Sequence, residues 1–312
     1  MDTVLALNNS PYYYFRPSNQ RSIGYTLPFT DRIVSKIADV VIRLQRDLGL
    51  DFIPGIQLGS ESDSAVRNPG KVRAMRRIAD EKGIEYVLHL PDQLVPGTYL
   101  RSGFKDRLLG IVQGNHGKSV GEFEREVCKR LDAASDLGCR FLVMHLPNGP
   151  IESKERVIGY LRGEIADSLN EHGLKMCIEN INNKGNPFYG NITNLGDLVE
   201  SIGPPYHICF DYGHYLVDRS NIDVGEVSAI CRSTTVFHVH INDRISDKHL
   251  FLGERPGDAD GNVLEEVEGA YLQYALKGVG IAGRAFVIER NRPFRYDQLK
   301  SSVELLFGSL LS

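Results

Sequence analysis

Short apolar runs alternate with amphipathic stretches along almost the whole chain, and the two kinds of segment carry different periods. Residues 31–48 place Ile33, Ile37, Val40, Val41, Leu44 and Leu48 on one helical face, between Thr30 as N-cap and Gly49 as the stop. Residues 120–137 repeat the pattern with Phe123, Val127, Leu131, Ala134 and Leu137, closed by Gly138; residues 152–172 do so with Val157, Leu161, Ile165 and Leu169 before Gly173. Further helices are predicted near 194–202, 222–231, 262–277 and 296–311. Candidate strands lie at about 3–8, 53–58, 85–90, 141–146, 174–180, 206–211, 235–241 and 284–289. Eight strands interleaved with helices is the count of a closed (β/α)8 TIM barrel, which needs about 250 residues and tolerates insertions. No Pro/Ser-rich linker divides the chain, so residues 1–312 are predicted to form one such domain. The competing open doubly wound sheet lacks its G-x-G-x-x-G fingerprint after an early strand.

Three connections exceed what such units need, at 9–29, 91–119 and 242–261. Each follows a strand, so each is expected on the catalytic face, where long loops act as lids and specificity elements. The first holds Tyr12, Tyr13 and Tyr14, and the second Arg101, Lys105 and Arg107.

The ends of the apolar runs carry the chemistry. Tyr86-Val87-Leu88 leads into His89, Phe141 to Met144 into His145, and Met176-Cys177-Ile178 into Glu179. Ile208-Cys209-Phe210 leads into Asp211, Val236 to Val239 into His240, and Phe286-Val287-Ile288 into Glu289. Burying such a group costs several kcal/mol unless it is paired or metal-bound. In a parallel barrel all these ends meet on one face, where barrel enzymes build their active sites. The pattern predicts a metalloenzyme.

Composition adds little except exclusions. Five cysteines (Cys128, Cys139, Cys177, Cys209 and Cys231) form no C-x-x-C pair and read as buried thiols, against a structural zinc site and for a reducing compartment. The start, Met1-Asp2-Thr3, lacks the marks of a signal peptide, and no run is long enough to span a bilayer, so a cytoplasmic location is expected. A net charge of -4 supplies no global attraction to nucleic acid.

Four segments are more specific: Ile178-Glu179-Asn180, Asp211-Tyr212-Gly213-His214, Val239-His240-Ile241-Asn242-Asp243, and the run from Asp247 through His249 and Leu252-Gly253 to Glu254. With His89, His145 and Glu289, in this order and on these strands, the chain resembles the xylose isomerase-like superfamily over about residues 50–290. That superfamily includes sugar isomerases and epimerases, dehydratases and endonuclease IV. The resemblance to the isomerases implies one divalent metal (Mn, Mg, Co or Zn) held by Glu179, Asp211, His240 and Glu289, with the two glutamates as acid and base beside a substrate carbonyl. It implies further that His89, His145 and His214 contact substrate. Endonuclease IV uses more positions, and resemblance to it implies two or three zinc ions, with His89, His145, His214, Asp247 and His249 as additional ligands.

Departures weigh against the nuclease. Asn180 is followed by Ile181-Asn182-Asn183 where endonuclease IV has Thr-Ala-Gly, and His214 by Tyr215-Leu216-Val217-Asp218 where it has Phe-Ala-Ala-Gly. Asp92-Gln93 stand where endonuclease IV carries its DNA-inserting pair, and Asp faces a phosphate badly. Arg244 and Arg290, with Arg292 and Arg295, favour an anionic small substrate. His238 shares a strand face with His240 but reads as a hydrogen-bonded core histidine.

The expected function is therefore a divalent-metal-dependent isomerase or epimerase of a small keto sugar, polyol or sugar acid, in a chain able to form homo-oligomers. A multinuclear zinc phosphodiesterase acting on DNA is the alternative, and a related dehydratase the lesser one.

Overall fold

A computed structural model describes residues 2–8, 31–59, 62–91, 120–146, 154–181, 192–216, 223–243, 246–253, 268–289 and 295–308. The chain runs β1 (Val4–Asn8), α1 (Asp31–Leu48), β2 (Ile53–Leu58), α2 (Asp63–Val66), α3 (Pro69–Lys82), β3 (Glu85–His89), α4 (Val120–Leu137) and β4 (Phe141–Met144). It continues through α5 (Lys154–Leu161), α6 (Glu164–His172), β5 (Lys175–Glu179), α7 (Ile192–Ile202), β6 (Tyr206–Asp211), α8 (Tyr212–Leu216), α9 (Val224–Ser233) and β7 (Thr234–Val239). A short hairpin follows, β8 (Ile241–Asp243) and β9 (Ser246–Leu250), then α10 (Glu268–Lys277), β10 (Ala285–Ile288) and α11 (Tyr296–Phe307). Eight parallel strands close into a barrel in the order β1-β10-β7-β6-β5-β4-β3-β2, as the alternation of the sequence predicts.

Three expectations are corrected. The pattern over 152–172 is not one helix, because Gly163 turns the chain with φ 85 between α5 and α6. The helix α3 is not among the predicted elements, although its punctuation is in the sequence: Asn68 Oδ1 accepts from the backbone of Gly70 and Lys71, Pro69 opens the first turn, and Gly83 closes the last with φ 62. The stretch 242–261, expected as a loop, begins as the β8–β9 hairpin; residues 254–261 lie outside the described residues. The long connections expected at 9–29 and 91–119 also lie outside them, Pro91 excepted.

Two cores follow from the period-two alternation of the strands. Outward-facing positions such as Leu5, Ile56, Leu142, Ile178 and Phe286 pack with the helices in one large cluster. Inward-facing ones form a smaller cluster inside the barrel, including Val87, Val143, Cys177, Cys209, Val236 and Val287. The next inward position on each of these strands is His89, His145, Glu179, Asp211, His238 and Glu289, so the inner core is the floor on which the polar set stands. Among the described residues, no helix is long and apolar enough to cross a membrane, and the five cysteines are free thiols.

The floor is tight where β1 meets β2. A Cβ on Gly55 would come 2.7 Å from Val4 Cγ1 and 3.1 Å from Ala6 Cβ, both fully buried. Gly55→Ala is therefore expected to destabilise the barrel by about 1–3 kcal/mol, measured by urea unfolding; a variant as stable as wild type would contradict this packing.

Candidate metal centre

Glu179 occupies the middle of the barrel mouth. Its Oε2 lies 3.1 Å from His89 Nε2, 3.2 Å from His145 Nε2 and 3.2 Å from His238 Nδ1, while Oε1 lies 3.6 Å from His214 Nδ1. Asp211 Oδ2 is 3.0 Å from His240 Nε2 and 3.1 Å from His214 Nδ1. Glu289 Oε2 is 3.5 Å from His249 Nδ1 and 3.9 Å from His240 Nε2, and its Oε1 is 3.5 Å from His238 Nδ1. Six imidazoles thus converge on three carboxylates, all of which are nearly or wholly buried.

Local structure explains the D-x-x-H spacing. Asp211 ends β6 and caps α8, its Oδ1 accepting the backbone N–H of His214 at 2.7 Å, which leaves Oδ2 facing the site. Asn180 clamps the same strand end: its amide donates to the Asp211 carbonyl at 2.9 Å and accepts the Asp211 N–H at 2.8 Å. Gly213 has no side chain because a Cβ there would overlap Cε1 and Nδ1 of the His240 ring. His249 has a left-handed backbone, φ 45, and its ring stacks on that of His240 with centroids 4.0 Å apart. Such conformations cost about 1–3 kcal/mol in a non-glycine residue and cluster where function holds a side chain in place.

The donor chemistry fits divalent metal ions. His89 Nδ1 lies 2.9 Å from the carbonyl of Leu90, so it donates there and, in the neutral ring, leaves Nε2 as a lone pair. That lone pair faces a carboxylate oxygen at 3.1 Å, a contact between two acceptors that a shared cation relieves. Among the described residues, candidate ligand atoms lie within 4.8 Å of one another in four overlapping groups: Asp211, His240 and Glu289; Glu179, Asp211 and His214; His214, His240 and His249; and His89, Glu179 and His238.

Charges in the set hold one another. Burial alone pushes the carboxyl of Glu179 up, but His238 and His145 outweigh it and keep the group well below the usual carboxylate range. Burial is likewise outweighed at Asp211, by His214 and His240, and the carboxyl is lowered. For His238 burial opposes charge while Glu179 and then Glu289 favour it, and the Gln57 amide nitrogen against Nε2 opposes a second ring proton as burial does.

The residues expected from the sequence at Glu179, Asp211, His240, Glu289, His89, His145, His214 and His249 are all brought together. Asp247 sits on β9, two positions before His249; its side chain lies outside the described set, as do Arg244 and Arg290. Reading His238 as a core histidine explains only its Nε2, which meets Gln57 Nε2 at 2.7 Å; the other nitrogen belongs to the site. Gln57, Asn180 and Gly213 carry no titratable group; Asn180 and Gly213 stand within the specific segments of the sequence, but nothing there marks what they do. Only the inward parity of Gln57, paired with Val87 in the barrel, could have signalled the first of them.

Comparison with known proteins agrees with the fold. A family model described as xylose isomerase-like TIM barrel matches residues 42–306. A curated relative, a probable endonuclease 4 from Thermoplasma volcanium, is 20% identical over 178 residues, and the match spans 54% of this chain and 60% of the relative's length. Among solved structures, endonuclease IV from Thermus thermophilus is 18% identical with a TM-score of 0.56, covering 100% of this chain and 99% of that one. A D-psicose 3-epimerase crystallised in the presence of D-fructose is 13% identical with a TM-score of 0.61, covering 100% of both chains. At these identities the structural likeness is one of fold.

The Gly213 cradle makes a specific prediction. Gly213→Ala is expected to displace His240 and weaken zinc binding by about tenfold or more. Gly196→Ala, whose Cβ would meet only Ile208 Cδ1 at 3.8 Å, should leave it unchanged. Competition with a chromogenic chelator reads both; equal affinities would remove His240 from the centre.

Proposed function

Since the chain belongs to the xylose isomerase-like TIM barrel family, we propose that it is an enzyme with a centre of more than one divalent ion, zinc foremost, that hydrolyses a phosphate diester. The observation that carries this reading is the donor set. A one-metal isomerase centre takes a single imidazole as ligand beside Glu179, Asp211 and Glu289, whereas His89, His145, His214, His240 and His249 all stand within hydrogen-bonding reach of these carboxylates. Nitrogen-rich sets suit zinc, and oxygen-rich ones suit Mg or Mn.

Bound there, such ions would supply an activated water at neutral pH and offset the charge of a phosphate. Glu179 bridges two parts of the site, with Oε2 toward His89 and His145 and Oε1 toward His214. Asp211, His240 and Glu289 form a third side, and His249 closes it over the His240 ring. Asn180 and the α8 cap hold Asp211 so that one oxygen stays in the site. The partial match to a probable endonuclease 4 supports DNA as the diester to test first. Free thiols, four of the five buried, support a reducing, cytoplasmic setting.

A second reading, the metal-dependent isomerase or epimerase of a keto sugar or sugar acid, is favoured by one observation. Glu179 and Glu289 flank His238 Nδ1 at 3.2 and 3.5 Å from strands three steps apart in the barrel, a disposition that suits proton removal by one and return by the other.

The zinc-loaded protein is expected to cleave bis(p-nitrophenyl) phosphate or a duplex with an abasic site, to lose that activity to a chelator, and to fall by about 100-fold in Glu179→Gln. No diester cleavage, with deuterium from heavy water entering a ketose beside its carbonyl, would replace this reading by the second.

A further inference from the structure

Below the three carboxylates, the described residues that fill the barrel are apolar except for one buried pair. Gln57 on β2 and His238 on β7 are 2% and 0% exposed and meet across an inner core otherwise made of Val, Ala, Cys and Phe side chains. A glutamine and a histidine placed there lose hydration that an apolar pair of the same volume would not, so their presence calls for something they do. Gln57 reaches His238 because both occupy inward-facing positions: Gln57 pairs with Val87, and His238 with Val287 and Asp211.

The atoms in contact settle the direction of the hydrogen bond. The amide nitrogen of Gln57 lies 2.7 Å from His238 Nε2. An amide nitrogen only donates, so Nε2 accepts and the ring proton sits on Nδ1. That nitrogen has no aligned hydrogen bond, yet it is 3.2 Å from Glu179 Oε2, 3.5 Å from Glu289 Oε1 and 4.0 Å from Asp211 Oδ2. An N–H directed between two acceptors is aligned with neither, which is the geometry found. A metal ligand would need a bare Nδ1.

We propose that Gln57 and His238 are positioning residues: Gln57 fixes the His238 ring so that its Nδ1–H, shared by Glu179 and Glu289, orients both carboxylates from beneath the metal centre, and His238 itself binds no metal. The pair separates His238 from the other five imidazoles, which it resembles in distance alone. It also connects β2, which contributes none of the candidate ligands, to the two glutamates on β5 and beyond β10.

This inference rests on the centre holding metal, and its test is chosen so that the two fail separately. Histidine side-chain nitrogens of the full chain are observed by long-range proton–nitrogen NMR, with zinc(II) alone as the probe and His238→Asn to assign the signals. His238 Nδ1 is expected to carry its proton both with and without zinc, while His89 Nε2 shifts on zinc addition. Gln57→Met, of similar size and unable to donate, should keep the circular dichroism of wild type and bind zinc about tenfold more weakly. A bare or zinc-shifted Nδ1 in the wild type would make His238 a ligand and overturn the proposal, as would wild-type zinc affinity in Gln57→Met. Failure of every histidine to respond to zinc would instead remove the metal centre, and the proton position on Nδ1 would then decide the Gln57–His238 bond by itself.

Discussion

Three buried carboxylates at one end of a parallel barrel repel one another, and most of what surrounds them compensates for that repulsion. Two unit charges about 4 Å apart, at an effective dielectric constant of about 20, interact by roughly 4 kcal/mol. Glu179, Asp211 and Glu289 are each within reach of the same His238 nitrogen, so they cannot escape one another. Imidazoles answer from every side, and they hold Glu179 and Asp211 ionised although burial works against it. The arrangement is costly for a fold and suited to cations.

Barrel geometry supplies this arrangement from a simple rule. Five strands contribute an apolar inward residue and then, two positions later, a ligand candidate: Val87 and His89, Val143 and His145, Cys177 and Glu179, Cys209 and Asp211, Val287 and Glu289. Strand β7 departs from it by adding one more polar inward step, Val236, His238 and His240, so that one strand brings two histidines to the carboxylates. Small adjustments then set individual rings: a missing Cβ at Gly213, a left-handed residue at His249, an amide clamp at Asn180.

The barrel and most of the centre are legible in the chain because both are written in periodicity. Eight apolar runs, each strand-length, give the strands, and the titratable residues at their ends give the site. The helix α3 escapes prediction because its apolar positions Val72, Met75, Ile78 and Ala79 are diluted by seven charged residues among the fourteen of the helix. The β8–β9 hairpin is hidden because Ile241–Asp243 and Ser246–Leu250 carry no alternating apolar signal. Gln57 escapes for a different reason: which side of a strand faces inward is set by the register of the closed barrel, and a lone buried polar residue has no local signature; His238 is legible as a hydrogen-bonded core histidine, but its approach to the two glutamates is not. The number of imidazoles that converge is likewise a property of the assembled mouth, and it is what moves the reading from one metal ion to several.

The most direct test of the account is the metal content of the purified, untagged protein, measured by inductively coupled plasma mass spectrometry with anomalous scattering at the zinc edge to locate the ions. The account predicts two or three tightly held ions per chain, one of them beside His89 and Glu179. A single ion per chain, held by Glu179, Asp211, His240 and Glu289 alone, would contradict it.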